Sequence, residues 1–151
     1  NNFPFFLSKN TVGKDNNSFM SHVVLNRIEE RENTNGINSP YYSYFTNILN
    51  EFTEKNNIKY KEVLRIAVNF SYKNNSKCSP IHLDHEFPHK QLLVYLNTVK
   101  DAFTVIYDES KNRILKKIIP MKYKGVCFDS LPHAGFFPEK GEKIVIVYTF
   151  K

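Results

Sequence analysis

The sequence predicts a mainly β domain, a jelly roll of packed sheets with one helix lying against its outside. Three observations lead there. Short strand-like segments fill the chain from Val63 to Phe150, and a single amphipathic helix precedes them. The segment Val63 to Tyr72 alternates apolar and polar residues at every second position, the period of a strand with two different faces. Many short strands after one helix suit a sheet sandwich with the helix packed outside.

Each element follows from local residues. Phe3 to Leu7 is a short apolar run, expected as a first strand. Phe19 to Leu25 fits strand or helix, and its β-branched Val23 and Val24 favour strand. Glu29 to Asn38 is polar and reads as a loop. Ser39 then suits a helix N-cap and Pro40 the first helical position. Tyr42, Phe45, Ile48, Leu49 and Phe52 recur at helical spacing, and Asn56-Asn57 ends the run. Strands are expected over Val63 to Tyr72, Gln91 to Val99, Phe103 to Tyr107, Arg113 to Ile119, Tyr123 to Phe128 and Lys143 to Phe150. The pattern fits one domain over 1–151, with strands and helix in 1–58 supporting a jelly-roll core over 59–151.

In the first of those core strands Leu64, Ile66, Val68 and Phe70 share one face, while Arg65, Ala67, Asn69 and Ser71 share the other. If the apolar face lies under the helix, the polar face looks into the barrel, where polar groups are costly unless they bind something. A polar face turned to water would give the same alternation.

Bulk properties narrow the function. With 41% apolar and 15% aromatic residues the chain is not disordered. No apolar run approaches the roughly 18 residues of a membrane span, and no signal-peptide pattern stands at the start. Cys78 and Cys127 are too few for a disulfide framework, so a reducing cytoplasm is the expected setting. The net charge of +6 comes from scattered lysines. They form no dense block, so neither nucleic acid nor a membrane is expected as partner.

The residues that carry chemistry are His82, Asp84 and His133. A His-x-Asp pair with a remote third histidine can form a facial two-histidine, one-carboxylate triad for non-haem Fe(II). On an extended segment His82 and Asp84 point to the same side. The pair alone reads as readily as ordinary surface or core histidines. Its surroundings add weight: Tyr95 shares a face with Leu93 and Asn97, and Lys143 opens the last strand on the face of Val145, Val147 and Thr149. A phenol and an ammonium at the far end of a pocket would hold a dicarboxylate. His82, His85 and His89 could suggest zinc, but Pro88 breaks any helix that would align them and no cysteine pair supports such a site.

On the stretches Arg65-Ile66-Ala67-Val68-Asn69, His82-Leu83-Asp84-His85, Tyr95-Leu96-Asn97, and Leu131-Pro132-His133 through Gly141-Glu142-Lys143, the chain resembles the Fe(II)/2-oxoglutarate oxygenases. The likeness is to the prolyl 4-hydroxylase-like members in particular, and to short phage-encoded ones. It covers roughly Val63 to Phe150, and more loosely the helix before it. The resemblance implies a double-stranded β-helix, cupin-like, in which His82, Asp84 and His133 bind Fe(II). It implies that 2-oxoglutarate chelates the metal and that Lys143, helped by Tyr95, pairs with its far carboxylate. Prolyl 4-hydroxylases have Lys at this offset where many members have Arg. Asn69 stands where some hydroxylases have a tyrosine touching the cosubstrate. Asp84, being a carboxylate, argues against the halogenating branch.

The implied activity is O₂-dependent hydroxylation of a C–H bond with release of succinate and CO₂, in the cytoplasm of a host cell if the chain is phage-encoded. The resemblance suggests peptidyl proline, and a small molecule or a peptide fits equally. Arg65 and the loop from His85 to His89, expected at the pocket mouth, suit an anionic or peptide substrate. The alternative is a non-catalytic cupin-like module that binds metal or ligand without turnover.

Overall fold

The computed structural model describes residues 3–32 and 34–151. Strands β1 (Phe6–Ser8) and β2 (Phe19–Leu25) are followed by a 3₁₀ turn at Ile28–Glu30 and helix α1 (Tyr42–Lys55). Then come β3 (Val63–Tyr72), β4 (Lys90–Tyr95), β5 (Thr104–Tyr107), β6 (Ile114–Ile118), β7 (Gly125–Asp129), β8 (His133–Gly135) and β9 (Glu142–Phe150). Six strands form one sheet in the order β1-β2-β3-β9-β4-β7, and three form a second in the order β6-β5-β8. Every strand pairing is antiparallel. β9 returns between β3 and β4, so the last strand of the chain becomes the middle of the large sheet.

The helix packs its apolar face on that sheet. Phe45 and Leu49 are buried among Val24, Ile66, Val68, Leu92, Ile146, Tyr148 and Phe150. Each such side chain contributes about 1.5–3 kcal/mol on leaving water. Thr53 continues the buried stripe because its hydroxyl bonds back to the Leu49 carbonyl at 2.9 Å. Phe52 approaches β7 where residue 125 is glycine: a Cβ there would stand 2.6 Å from the ring. The alternation in β3 is resolved by this packing. Ile66 and Val68 lie under the helix, while Arg65, Asn69 and Ser71 line a cavity between the sheets.

Several boundaries differ from the sequence reading for local reasons. The helix begins at Tyr42, not Pro40. Ser39 instead closes a turn, its hydroxyl accepting the Tyr41 N–H at 3.2 Å and contacting His22 Nε2 at 2.8 Å. The expected strand at Phe3 shifts to Phe6–Ser8. Pro4 has no N–H for a ladder, and Phe3 and Phe5 dock instead against His22 and Phe70. β4 stops at Tyr95 because the Asn97 side chain takes over the ladder, accepting the Ile144 N–H at 2.9 Å and donating to Glu142 O at 2.8 Å. β7 cannot start at Tyr123, whose φ of 65° is left-handed. Within the expected loop Glu29 to Asn38 the 3₁₀ turn Ile28–Glu30 intrudes, and Asn33 lies outside the described residues.

No helix is long and apolar enough to cross a membrane among the described residues.

Candidate active site

A cavity of about 380 Å³ opens between the two sheets. Strand alternation supplies its lining: Arg65, Asn69 and Ser71 from β3, Gln91 and Leu93 from β4, and Lys143, Val145 and Val147 from β9. His82 and Asp84 enter from the loop before β4, and His133 and Gly135 from β8.

The remote histidine is brought beside the first by backbone bonds. His82 N–H donates to His133 O and His133 N–H to His82 O, each at 3.0 Å. Directly opposed residues of an antiparallel pair project to the same side of the sheet, and the two rings lie 4.5 Å apart by centroid. His133 Nε2 is 3.8 Å from Asp84 Oδ2. His82 Nδ1 donates to Pro80 O at 2.9 Å and His133 Nδ1 to Leu131 O at 3.1 Å. A carbonyl only accepts, so each Nδ1 carries a hydrogen, and in that tautomer of a neutral imidazole the unprotonated nitrogen is Nε2, an atom that can ligate a metal. Burial pulls the His133 pKa below its ordinary value although Asp84 opposes it, so the ring favours the neutral form.

Asp84 is almost wholly enclosed. Burial pushes its pKa up, but Arg65, then His133, Arg27 and His82, outweigh it and hold the carboxyl well below the usual range. Arg27 Nη2 lies 3.0 Å from Asp84 Oδ1, and Arg27 Nη1 also donates to the Asp84 main-chain carbonyl. The guanidinium therefore grips the residue at two points. Arg65 Nη1 stands farther off, 3.7 Å from the same Oδ1. Two imidazole nitrogens and an ionised carboxylate are the donors a borderline divalent metal such as Fe(II) takes. By donor chemistry the set fits a metal. As they stand, no three His, Cys, Asp or Glu side chains among the described residues close into a preformed cage.

Lys143 is 4% exposed and lines the cavity. Its Nζ donates to Phe136 O at 2.6 Å and meets no carboxylate among the described residues. Burial lowers its pKa from 10.5 to about 8. Ser71 pairs with Lys143 across the β3–β9 ladder, whereas Arg65 pairs with Thr149. The two cationic residues thus stand near opposite ends of the β3–β9 ladder.

Other expected residues sit differently. Asn69 lines the cavity, its amide oxygen accepting from Ser21 Oγ at 2.9 Å. Tyr95 does not line it. The ring is fully buried, its pKa is pushed up to about 12 by burial, and its hydroxyl donates at 2.9 Å to Thr104, which does line the cavity. His85 is corrected most: its side chain is enclosed, with Nδ1 donating to Glu29 Oε1 and Nε2 accepting from Thr149 Oγ1, each at 2.7 Å. With both nitrogens engaged away from the cavity it cannot touch substrate, and no residue from His85 to His89 lines the pocket.

Sequence reasoning missed Arg27 and Gln91. Gln91 Nε2 stands 3.3 Å from His133 Nε2, to which the amide can donate. It was detectable as the lone polar inward residue of an apolar strand. Arg27 was not, because it reaches Asp84 from a polar loop with no periodic pattern.

No family model matches the chain, and no curated protein matches it. Solved structures do. One is an oxidoreductase of the 2OG-Fe(II) oxygenase family from Burkholderia pseudomallei, with TM-score 0.71 and 15% identity over 98% of this chain and 73% of that one. Another is a prolyl hydroxylase in complex with a hypoxia inducible factor oxygen degradation domain peptide fragment, from Trichoplax adhaerens. There the TM-score is 0.59 and the identity 16% over 87% of this chain, which spans 62% of that one. The chain has the double-stranded β-helix fold of these oxygenases. In that double-stranded β-helix the His82–Asp84–His133 group and Lys143 face a common cavity between the sheets.

Proposed function

We propose that this chain is a non-haem Fe(II)- and 2-oxoglutarate-dependent oxygenase that hydroxylates a C–H bond with release of succinate and CO₂. The observation that carries the reading is Lys143, a buried ammonium with no carboxylate partner among the described residues, in the same cavity as two imidazoles and an ionised aspartate. A buried cation without a counter-charge is costly, and a dicarboxylate bound between it and the donor set removes that cost.

His82, Asp84 and His133 would hold the metal, which when bound supplies the redox chemistry that activates O₂. The protein does the rest. Leu131 O and Pro80 O fix the imidazole tautomers, and Arg27 holds Asp84 through one oxygen so that the other stays available. Lys143 receives the far carboxylate of 2-oxoglutarate, with Ser71 and Thr104 as nearby hydroxyls in the lining. Val145, Val147 and Leu93 keep the middle of the cavity dry. Tyr95 acts one step removed, by orienting Thr104. The peptide held by the Trichoplax prolyl hydroxylase makes a peptidyl substrate one candidate for this chain.

Adding Fe(II) and 2-oxoglutarate to metal-free protein without oxygen should produce the weak visible charge-transfer band of the chelate. The band should fade with O₂ as succinate forms. Metal binding without the band favours a second reading, a cupin-like binding module without turnover. The observation on that side is that Asp84 already has Arg27 as a close ionic partner.

A further inference from the structure

Arg65 is the cavity's unexplained group. Its side chain is only 13% exposed, yet it makes no hydrogen bond with any described residue. Its nearest charged neighbour, Asp84 Oδ1, is 3.7 Å away, and that oxygen is already taken by Arg27 at 3.0 Å. A guanidinium offers five N–H donors in a rigid fork. Here that fork lines the cavity, with Asp84 Oδ1, 3.7 Å away, as its ionic neighbour.

Lys143 does not serve the same ligand end. Along the β3–β9 ladder Arg65 stands at the level of Thr149 and Lys143 at the level of Ser71. Gln91 also pairs with Thr149, on β4, and its amide contacts His133. The donor set is thus at Arg65's end of the cavity and Lys143 at the other. Charge points the same way. The lining carries Arg27, Arg65 and Lys143 against a single carboxylate, Asp84. A divalent metal and a dicarboxylate cosubstrate cancel each other and leave that positive excess in place.

Resting on the oxygenase reading, we propose that the primary substrate is an anion bearing a carboxylate, which Arg65 grips as a two-pronged pair beside the metal donors. Arg65 is then the residue that selects the substrate class.

The test uses the full chain loaded with Mn(II) in place of Fe(II), with and without 2-oxoglutarate. Isothermal titration compares acetate, benzoate and N-acetylglycine with their respective amides. At least one acid should bind about tenfold more tightly than its amide, a difference of about 1.4 kcal/mol. That preference should fall to near unity in Arg65→Gln and survive in part in Arg65→Lys, which keeps charge but loses the fork. The proposal is overturned if no acid is preferred over its amide, or if the preference persists in Arg65→Gln. It is equally overturned if Arg65→Gln weakens 2-oxoglutarate binding as much as Lys143→Ala is expected to, because Arg65 would then serve the cosubstrate. An Arg65-dependent acid preference in protein that fails to bind 2-oxoglutarate would keep the anion site and sink the oxygenase reading instead.

Discussion

Replacing Lys143 by methionine should make the ligand-free protein more stable while destroying the proposed 2-oxoglutarate site. Burial lowers the lysine's pKa from 10.5 to about 8. At about 1.4 kcal/mol per tenfold in proton affinity, holding the charged form in the folded protein costs about 3 kcal/mol at neutral pH. Methionine removes that cost but leaves Phe136 O without the lysine's hydrogen bond, which returns about 1 kcal/mol. The net gain expected at pH 7 is about 2 kcal/mol. The sign of the pH dependence follows from proton counts. Between about pH 8 and 10.5 the unfolded chain holds the lysine's proton and the folded chain does not, so wild-type stability rises with pH in that window. Urea unfolding of both proteins from pH 7 to 10.5 should show the variant's advantage shrink by about 3 kcal/mol, while the slope with urea stays unchanged. A variant no more stable at pH 7, or a gap that does not change with pH, would refute the claim that Lys143 is a charged group waiting for an anion.

Other consequences can be measured alongside. 2-Oxoglutarate affinity in the wild type should weaken as pH rises past about 8, as Lys143 loses its proton, whereas Lys143→Arg, if it binds, should hold its affinity through pH 9. His133→Ala and Asp84→Asn should each lower Mn(II) affinity by more than the roughly 10–100-fold typical of an outer hydrogen-bonding partner, with circular dichroism unchanged. Undiminished Mn(II) binding in both variants removes them from the metal site. Arg27→Ala should lower Mn(II) affinity by about 10–100-fold through loss of its grip on Asp84, and equal affinities would leave Arg27 a purely structural residue. Thr149→Val leaves His85 Nε2 buried without its donor; thermal or urea unfolding should register a loss of about 1–3 kcal/mol, with Mn(II) affinity little altered.

The fold was largely legible because strand periodicity survives where one face is buried. β3 and β2 match their expected limits, since Val63–Tyr72 alternates cleanly and Val23-Val24 resist a helix. Boundaries failed where side chains replaced backbone partners. Asn97 ends β4 by bonding to β9, and Ser39 closes a turn instead of capping the helix. The cavity's cationic residues and candidate metal ligands were read from type and spacing, and His82, Asp84, His133, Lys143, Asn69 and Arg65 all line it. Tyr95 and His85 were misjudged for one reason. Sequence gives the direction of a side chain along a strand but not whether another polar group intercepts it, as Thr104 does for Tyr95 and Glu29 with Thr149 does for His85.

The paired main-chain bonds between His82 and His133 bear on how a metal would come and go. Bringing the ends of a long loop together carries an entropic penalty, and here main-chain pairing meets it before any ion arrives. Ion binding therefore need not supply that ordering, so a chelator should strip the metal without unfolding the sheets. Asp84 has no such main-chain clasp; Arg27 is its hydrogen-bonded partner, and Arg65 stands farther off at 3.7 Å. If His82, Asp84 and His133 hold a metal as proposed, its off-rate should respond to changes at residue 27 more than to a substitution in the sheets away from the cavity.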